Sequence, residues 1–176
     1  MIREDWKRIA GMHVTDAGDI AVVWLALDRE TDTLHLYDCA VFRHETWPVI
    51  GEGIAARGRY IPLVWVKKAK PVAEELEKRG IKVLEDKYVL SDDDALAEVT
   101  SNGIRSRMRS HRFKINKSCV EWLDEYKTYF RDDTTVPRDS HPLMAATRHA
   151  VAQLEWARPL RRKKADTRRA PKLAIV

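Results

Sequence analysis

Apolar residues fall into short runs over the first half of this chain and into helical spacing over the second, and the two patterns divide it into predicted elements. Ile20 to Leu27, IAVVWLAL, is an unbroken apolar and β-branched run closed by Asp19 and by Asp28-Arg29-Glu30. It is too short for a typical helix and predicts a buried strand. Thr33 to Phe42 alternates more and follows the turn-like DRETD, which predicts an antiparallel hairpin with the first run. Arg8 to Val14 supplies a third strand beside these, with Gly11 permitting close approach of another backbone.

Thr46 to Arg57 places Val49, Ile50, Ile54 and Ala55 on one face and runs into Gly58, which predicts a helix with glycine at its C′ position. Ile61 to Trp65 reads as a short strand, Lys70 to Arg79 as a helix stopped by Gly80, and Ile81 to Leu84 as a further strand. That alternation predicts a parallel β-α-β unit. From Asp92 the pattern is helical: Asp93 to Ser110, a short element at Arg112 to Ile115, then Ser118 to Phe130 and His141 to Ala157. Ser91 or Asp92 and Ser118 are the expected N-caps, Ser118 with Glu121 as a capping box. Hairpin first, parallel unit second and helices last predict an α/β fold, a mixed sheet with helices on its faces.

The 176 residues, 44% hydrophobic and 34% charged, suffice for one core. No apolar run approaches the roughly 18 to 20 residues that cross a bilayer, and MIREDWKRIAG lacks the h-region of a signal, so a soluble, cytoplasmic protein is expected. Cys39 and Cys119 are too few for a disulfide framework and are expected to be buried free thiols. Charge changes the picture more. Between Arg158 and Lys172 eight Lys or Arg face Asp166, which puts +7 in that segment and leaves residues 1–157 at −2 within the net +5. Two prolines and no apolar periodicity mark 158–176 as a basic, disordered tail beside a domain at 1–157, suited either to solvating a terminus or to holding a phosphate backbone.

Several motifs are excluded by context. Gly51-Glu52-Gly53-Ile54-Ala55-Ala56 matches GxGxxA but lies inside a predicted helix instead of opening one after a strand, and no GxxxxGK[ST] exists. The six histidines lack ligand spacing, and Asp92-Asp93-Asp94 sits where acids complement a helix N-terminus. Trp24, Trp65, Trp122 and Trp156 fall on apolar faces and are expected in the core. Arg105, Arg107, Arg109, Arg112 and Lys114 form a basic cluster around Phe113, with Arg105 and Arg109 on one helical face. Together with the tail they form an electrostatic footprint for nucleic acid.

Three stretches taken together resemble a known family. AGMHVTDAGDIAVVWLALDRETDTLHLYD, IAARGRYIPLVW, and the pair RFKINKSCVEWLDEYKTYFRDD and HPLMAATRHAVAQLEWA are similar in order and spacing to the C-terminal nuclease domain of the large terminase subunit of tailed bacteriophages. The resemblance runs over residues 8–157. It implies a ribonuclease H-like fold, and a mechanism in which three aspartates from separate elements hold two divalent ions for DNA cleavage. The family's first aspartate lies in a Gly-Ile-Asp-like sequence, matched here by Gly11-Met12-His13. Its second lies in a Trp-Pro-His-Asp-like sequence, matched by Trp65-Val66-Lys67-Lys68. Its third opens Asp-x-Leu-x-x-Ala-x-Arg, matched by His141-Pro142-Leu143-Met144-Ala145-Ala146-Thr147-Arg148.

His13, Lys68 and His141 therefore stand where the family has carboxylates, and they offer no anionic oxygen to a hard cation. The expectation is an inactive, stand-alone homologue, phage or prophage encoded, without metal or nucleotide cofactor. It would act as a binding module in phage DNA packaging or its regulation. DNA is the expected partner, held by Lys68, Arg105, Arg109, Arg112, Arg148 and the tail residues Arg161, Arg162, Lys163 and Lys164; a phage or host protein is the second. The rival expectation is a Mg2+ or Mn2+ endonuclease using displaced acids, Asp16 and Asp139, although no Asp or Glu between Tyr60 and Ala73 replaces the second position. A purely protein-binding inhibitor is the third.

Overall fold

The computed structural model describes residues 2–85, 94–129 and 140–160. Three long strands, β1 (Lys7–Val14), β2 (Ile20–Asp28) and β3 (Thr33–Phe42), form an antiparallel meander. Lys7 lies opposite Leu27 and Val14 opposite Ile20, and β3 follows β2 down to Asp28 opposite Thr33, with a bulge at Trp24/Leu25. Helix α1 (Trp47–Gly58) then leads to β4 (Leu63–Trp65), parallel to β1, and α2 (Lys70–Lys78) leads to β5 (Val83–Glu85), parallel to β4. Helix α3 (Asp94–Arg109) crosses to β6 (Phe113–Ile115), parallel to β3, followed by α4 (Val120–Tyr129), α5 (Pro142–Ala152) and β7 (Arg158–Pro159), antiparallel to β1. The sheet order is β5-β4-β1-β2-β3-β6, with β7 also on β1.

The unbroken apolar run of β2 is explained by helices on both faces. Ala21, Val23 and Leu25 point into a core with Ile104 of α3, Trp122 of α4 and Leu143, Ala146 and Ala150 of α5. Ile20, Val22 and Trp24 point the other way, against Ile50 and Ile54 of α1 and Ala73 and Leu76 of α2. A strand with no solvated face has no reason to alternate in polarity. The two cores share β1 in the same way, with Ile9 on the α5 side and Ala10 and Met12 on the α1 side. The indole N–H of Trp122 donates to Thr147 Oγ1 at 2.8 Å and the Thr147 hydroxyl donates to Leu143 O at 2.7 Å, which ties α4 to α5 inside the first core.

Several boundaries differ from the sequence expectations. The expected capping box does not form: α4 opens at Val120, two residues after Ser118, the Ser118 amide donates to Asn116 Oδ1, and Glu121 reaches out to Arg43. The last helix stops at Ala152 and gives way to a 3-10 turn at Leu154–Trp156. The element at 112–115 is an edge strand, and Arg158 and Pro159, assigned to the tail by charge alone, pair with β1. Ser91, Asp92, Asp93 and residues 161–176 lie outside the described residues. Trp24, Trp65 and Trp122 are buried and Trp156 is half-buried; Cys119 is a buried free thiol, whereas Cys39 is only half-buried. No helix among the described residues is long and apolar enough to cross a membrane.

Glycine at position 11 sets the spacing between sheet and helix. A Cβ there would stand 2.0 Å from Ala146 O and 2.8 Å from Ala150 N, both backbone atoms of α5 that cannot swing aside. Gly11→Ala should force α5 off β1 and lower the unfolding free energy by about 3 kcal/mol, the upper end of the usual cost of overpacking, readable as a fall in the urea midpoint.

Candidate functional site

Parallel strands β1 and β4 end side by side, since Gly11 of β1 is level with Val64 of β4. Beyond β1 the chain closes a tight turn, with Thr15 N–H donating to Asp19 O and Gly18 N–H to Thr15 O, each at 3.0 Å, and Gly18 at φ +88. This turn carries Asp16. Beyond β4 a 3-10 turn at Lys67–Ala69 carries Lys68 across to it, and the Lys68 ammonium is ion-paired to Asp16 Oδ1. Both side chains are at least half exposed, so the pair is worth no more than about 1 kcal/mol of stability; its consequence is where it puts charge.

His13 is buried on the α5 side of β1, and its ring stacks on that of His149 with centroids 5.9 Å apart. His141 opens α5, eight residues and so about 12 Å of helix before His149. It is also buried, and its bonds point inward. The Thr128 hydroxyl donates to Glu125 O at 3.0 Å, so its oxygen accepts from His141 Nε2 at 2.8 Å, and Nδ1 accepts from the Ser140 hydroxyl at 2.9 Å. His141 thereby ties the start of α5 to the end of α4. The structure thus groups His13, Asp16 and Lys68 at one end of the sheet, with His141 set off from them along α5.

Arg148 differs from its expected role. At 6% exposure it is inside the protein, donating from Nη1 to the Tyr129 hydroxyl at 2.8 Å, with its guanidinium also 5.9 Å from the Tyr129 ring centre. It braces α5 against α4 and presents little to a phosphate in solvent. Arg112 is exposed but engaged: its Nη1 donates to Asp32 Oδ2 at 2.8 Å, while Arg107 donates to Asp32 O at 2.7 Å and Oδ1 at 3.0 Å. Arg105 and Arg109 face outward on α3 beside Asn102, Ser106 and Ser110. Asp16 and Asp32 lie at opposite ends of β2, which is nine residues long, so the α3 cluster and Lys68 are separated by about 27 Å of strand. Asp139, Arg161, Arg162, Lys163 and Lys164 lie outside the described residues.

Sequence reasoning passed over Glu125. Its Oε2 accepts from the backbone N–H of Leu143 at 2.9 Å and of Met144 at 3.1 Å, so it caps the first turn of α5 from another helix. Burial pushes its carboxyl up to about 7, against the pull of those two amides. A cap supplied across 18 residues of sequence leaves no local signal. His149 and Asp32 were missed for the same reason, because their partners lie in other elements. Among the described residues, no group of three or more His, Cys, Asp or Glu side chains is arranged to hold a metal ion.

A seven-stranded mixed sheet between helical layers, with polar side chains gathered where β1 and β4 end, is the ribonuclease H-like architecture of terminase nuclease domains. The solved nuclease domain of the bacteriophage P22 large terminase superposes with a TM-score of 0.77 over 91% of this chain and 87% of that one, at 19% identity. The full-length large terminase of a thermophilic bacteriophage gives 0.65 at 15% identity over 89% of this chain, which spans only 42% of that protein. The large terminase nuclease domain of bacteriophage SPP1, solved with bound Mn, gives 0.58 at 13% identity over 83% of this chain and 85% of that one. No family model and no curated protein sequence matches the chain.

The raised Glu125 carboxyl has a testable consequence. Between pH 4.5 and about 7 the folded protein holds a proton that the unfolded chain has released, so this stabilisation is complete below 4.5 and is lost as the pH rises through 7. Urea midpoints should fall across that window, and Glu125→Gln, which keeps an oxygen for the two amides, should flatten the dependence.

Proposed function

We propose that this chain is a ribonuclease H-like module of the terminase nuclease type that binds DNA without cleaving it and serves phage DNA packaging or its regulation in the host cytoplasm. The observation that carries the reading is the Lys68–Asp16 pair at the adjoining ends of β1 and β4. Two-metal phosphodiester cleavage needs several anionic oxygens converging on two cations. Here the equivalent positions by resemblance bring two imidazoles and an ammonium, and the ammonium takes up the nearest acid. His141 is bound on both ring nitrogens and His13 is packed under α5. These donors do not fit Mg2+ or Mn2+.

DNA is the ligand best matched to what remains. The body of the chain is close to neutral, while α3 presents arginines on its outer face and residues 161–176 hold seven Lys or Arg against one Asp. Such an arrangement favours contact with phosphate over base readout. A rival active site built on Asp16 would first have to release that carboxylate from Lys68.

Plasmid DNA incubated with the full chain and Mn2+ should remain supercoiled, and a gel-shift titration should give a complex that weakens with salt. Nicking that disappears in Asp16→Ala would overturn the reading in favour of an endonuclease. Absence of any DNA complex at low salt would overturn it in favour of a protein-binding inhibitor.

A further inference from the structure

We infer that the outward face of α3 is a docking surface for the phosphate backbone of duplex DNA, remote from the polar end of β1 and β4 and restrained by Asp32. The inference rests on the DNA-binding reading above and assigns its contact to the opposite end of the sheet. Asn102, Arg105, Ser106, Arg109 and Ser110 recur at helical spacing and line one shallow, open concavity. The opposite face of the same helix is spent on packing, with Ile104 buried and Met108 against the core. From Asn102 to Lys114 the sequence contains no Asp or Glu. Guanidinium, amide and hydroxyl groups set in a row along such a stretch are the side chains that contact phosphate and sugar oxygens.

The plainer role for arginines in the last turn of a helix is to complement its dipole, worth about 0.3 to 1 kcal/mol each. Arg107 already serves that role from the inner side of the turn, bridged to Asp32, and the Ser110 hydroxyl covers the Ser106 and Arg107 carbonyls. Arg105 and Arg109 lie on the other side of the helix, toward solvent.

The same end of the sheet is where the chain leaves the described structure. Arg158 and Pro159 run along β1 toward Lys7, which is level with Leu27 of β2, and Leu34 of β3 is in turn level with Leu27 and with Phe113 of β6. The basic segment after Leu160 therefore starts four strand spacings from β6, about 19 Å across the sheet end. That length of duplex axis carries about eleven phosphate charges, enough for both elements to engage one duplex. The β2–β3 turn lies between them and is acidic, but its charges are engaged: Asp28 accepts from Glu30 N–H and the Thr31 hydroxyl, Glu30 faces Arg3, and Asp32 holds Arg107 and Arg112. Asp32 is thus the group that withholds two further guanidiniums from the surface.

Fluorescence anisotropy of a labelled duplex, titrated with the full chain over a range of KCl, tests this with four proteins. Relative to the parent, Arg105→Gln/Arg109→Gln should bind more weakly, with the slope of log K against log salt reduced by about 1.8, the loss of two phosphate contacts. Asp32→Asn keeps a residue that tolerates the φ of +51 at that position and frees Arg107 and Arg112. It should bind more tightly and with a steeper slope, a gain that misfolding does not produce. Lys68→Gln should leave the slope within experimental error of the parent. If the parent binds but the double variant and Asp32→Asn match it while Lys68→Gln loses the slope, the contact lies at the Lys68 end and this inference fails while the DNA-binding reading stands. If the parent forms no complex, both fall.

Discussion

The rest of the structure depends on how closely α5 lies on β1. With no side chain at Gly11, the Ala146 carbonyl and the Ala150 amide sit where a Cβ would be, so the helix packs backbone against backbone on the centre of the sheet. That contact decides what surrounds the ends of β1. It brings His149 over His13, starts α5 beside the end of α4, and buries Arg148 against Tyr129. A helix held further out by ordinary side chains would leave the same residues facing water.

Charge follows from the frame thus set. Carboxylates near the sheet ends are paired by elements distant in sequence: Asp16 by Lys68, Asp32 by Arg107 and Arg112, and Asp38 by Arg57 at 2.6 Å. Glu125 is occupied by the amides of α5. At one end of the sheet this leaves a cation among imidazoles, which is poor ground for a divalent ion; at the other it leaves a helix face of arginines turned to solvent. A fold shared with nuclease domains and an arrangement of charge unsuited to their metal chemistry meet in one chain, and the proposed role in binding DNA reconciles them.

Much of the fold was legible in the chain. The run IAVVWLAL identified a strand covered on both faces, because only a doubly buried strand dispenses with polar positions. Gly58 and Gly80 marked the ends of α1 and α2, each at a positive φ that other residues rarely adopt. The hairpin and the parallel unit followed from turn chemistry and element order. Local signals failed where a distant partner overruled them: Ser118 and Glu121 spell a capping box, but Asn116 and Arg43 take their groups instead.

The site divides along the same line. Sequence alone determined which chemistry is on hand, namely His13, Lys68 and His141 at positions where a resembling family has carboxylates, and a basic charge concentrated in α3 and after residue 157. Tertiary structure decided which of these groups meet. It joined Lys68 to Asp16, turned His141 and Arg148 inward, tied Arg112 to Asp32, and moved the α3 arginines to the far end of β2 from Lys68. The reason is physical: a side chain's type is local, whereas its burial, its hydrogen-bond partner and its distance from another charge are properties of packing.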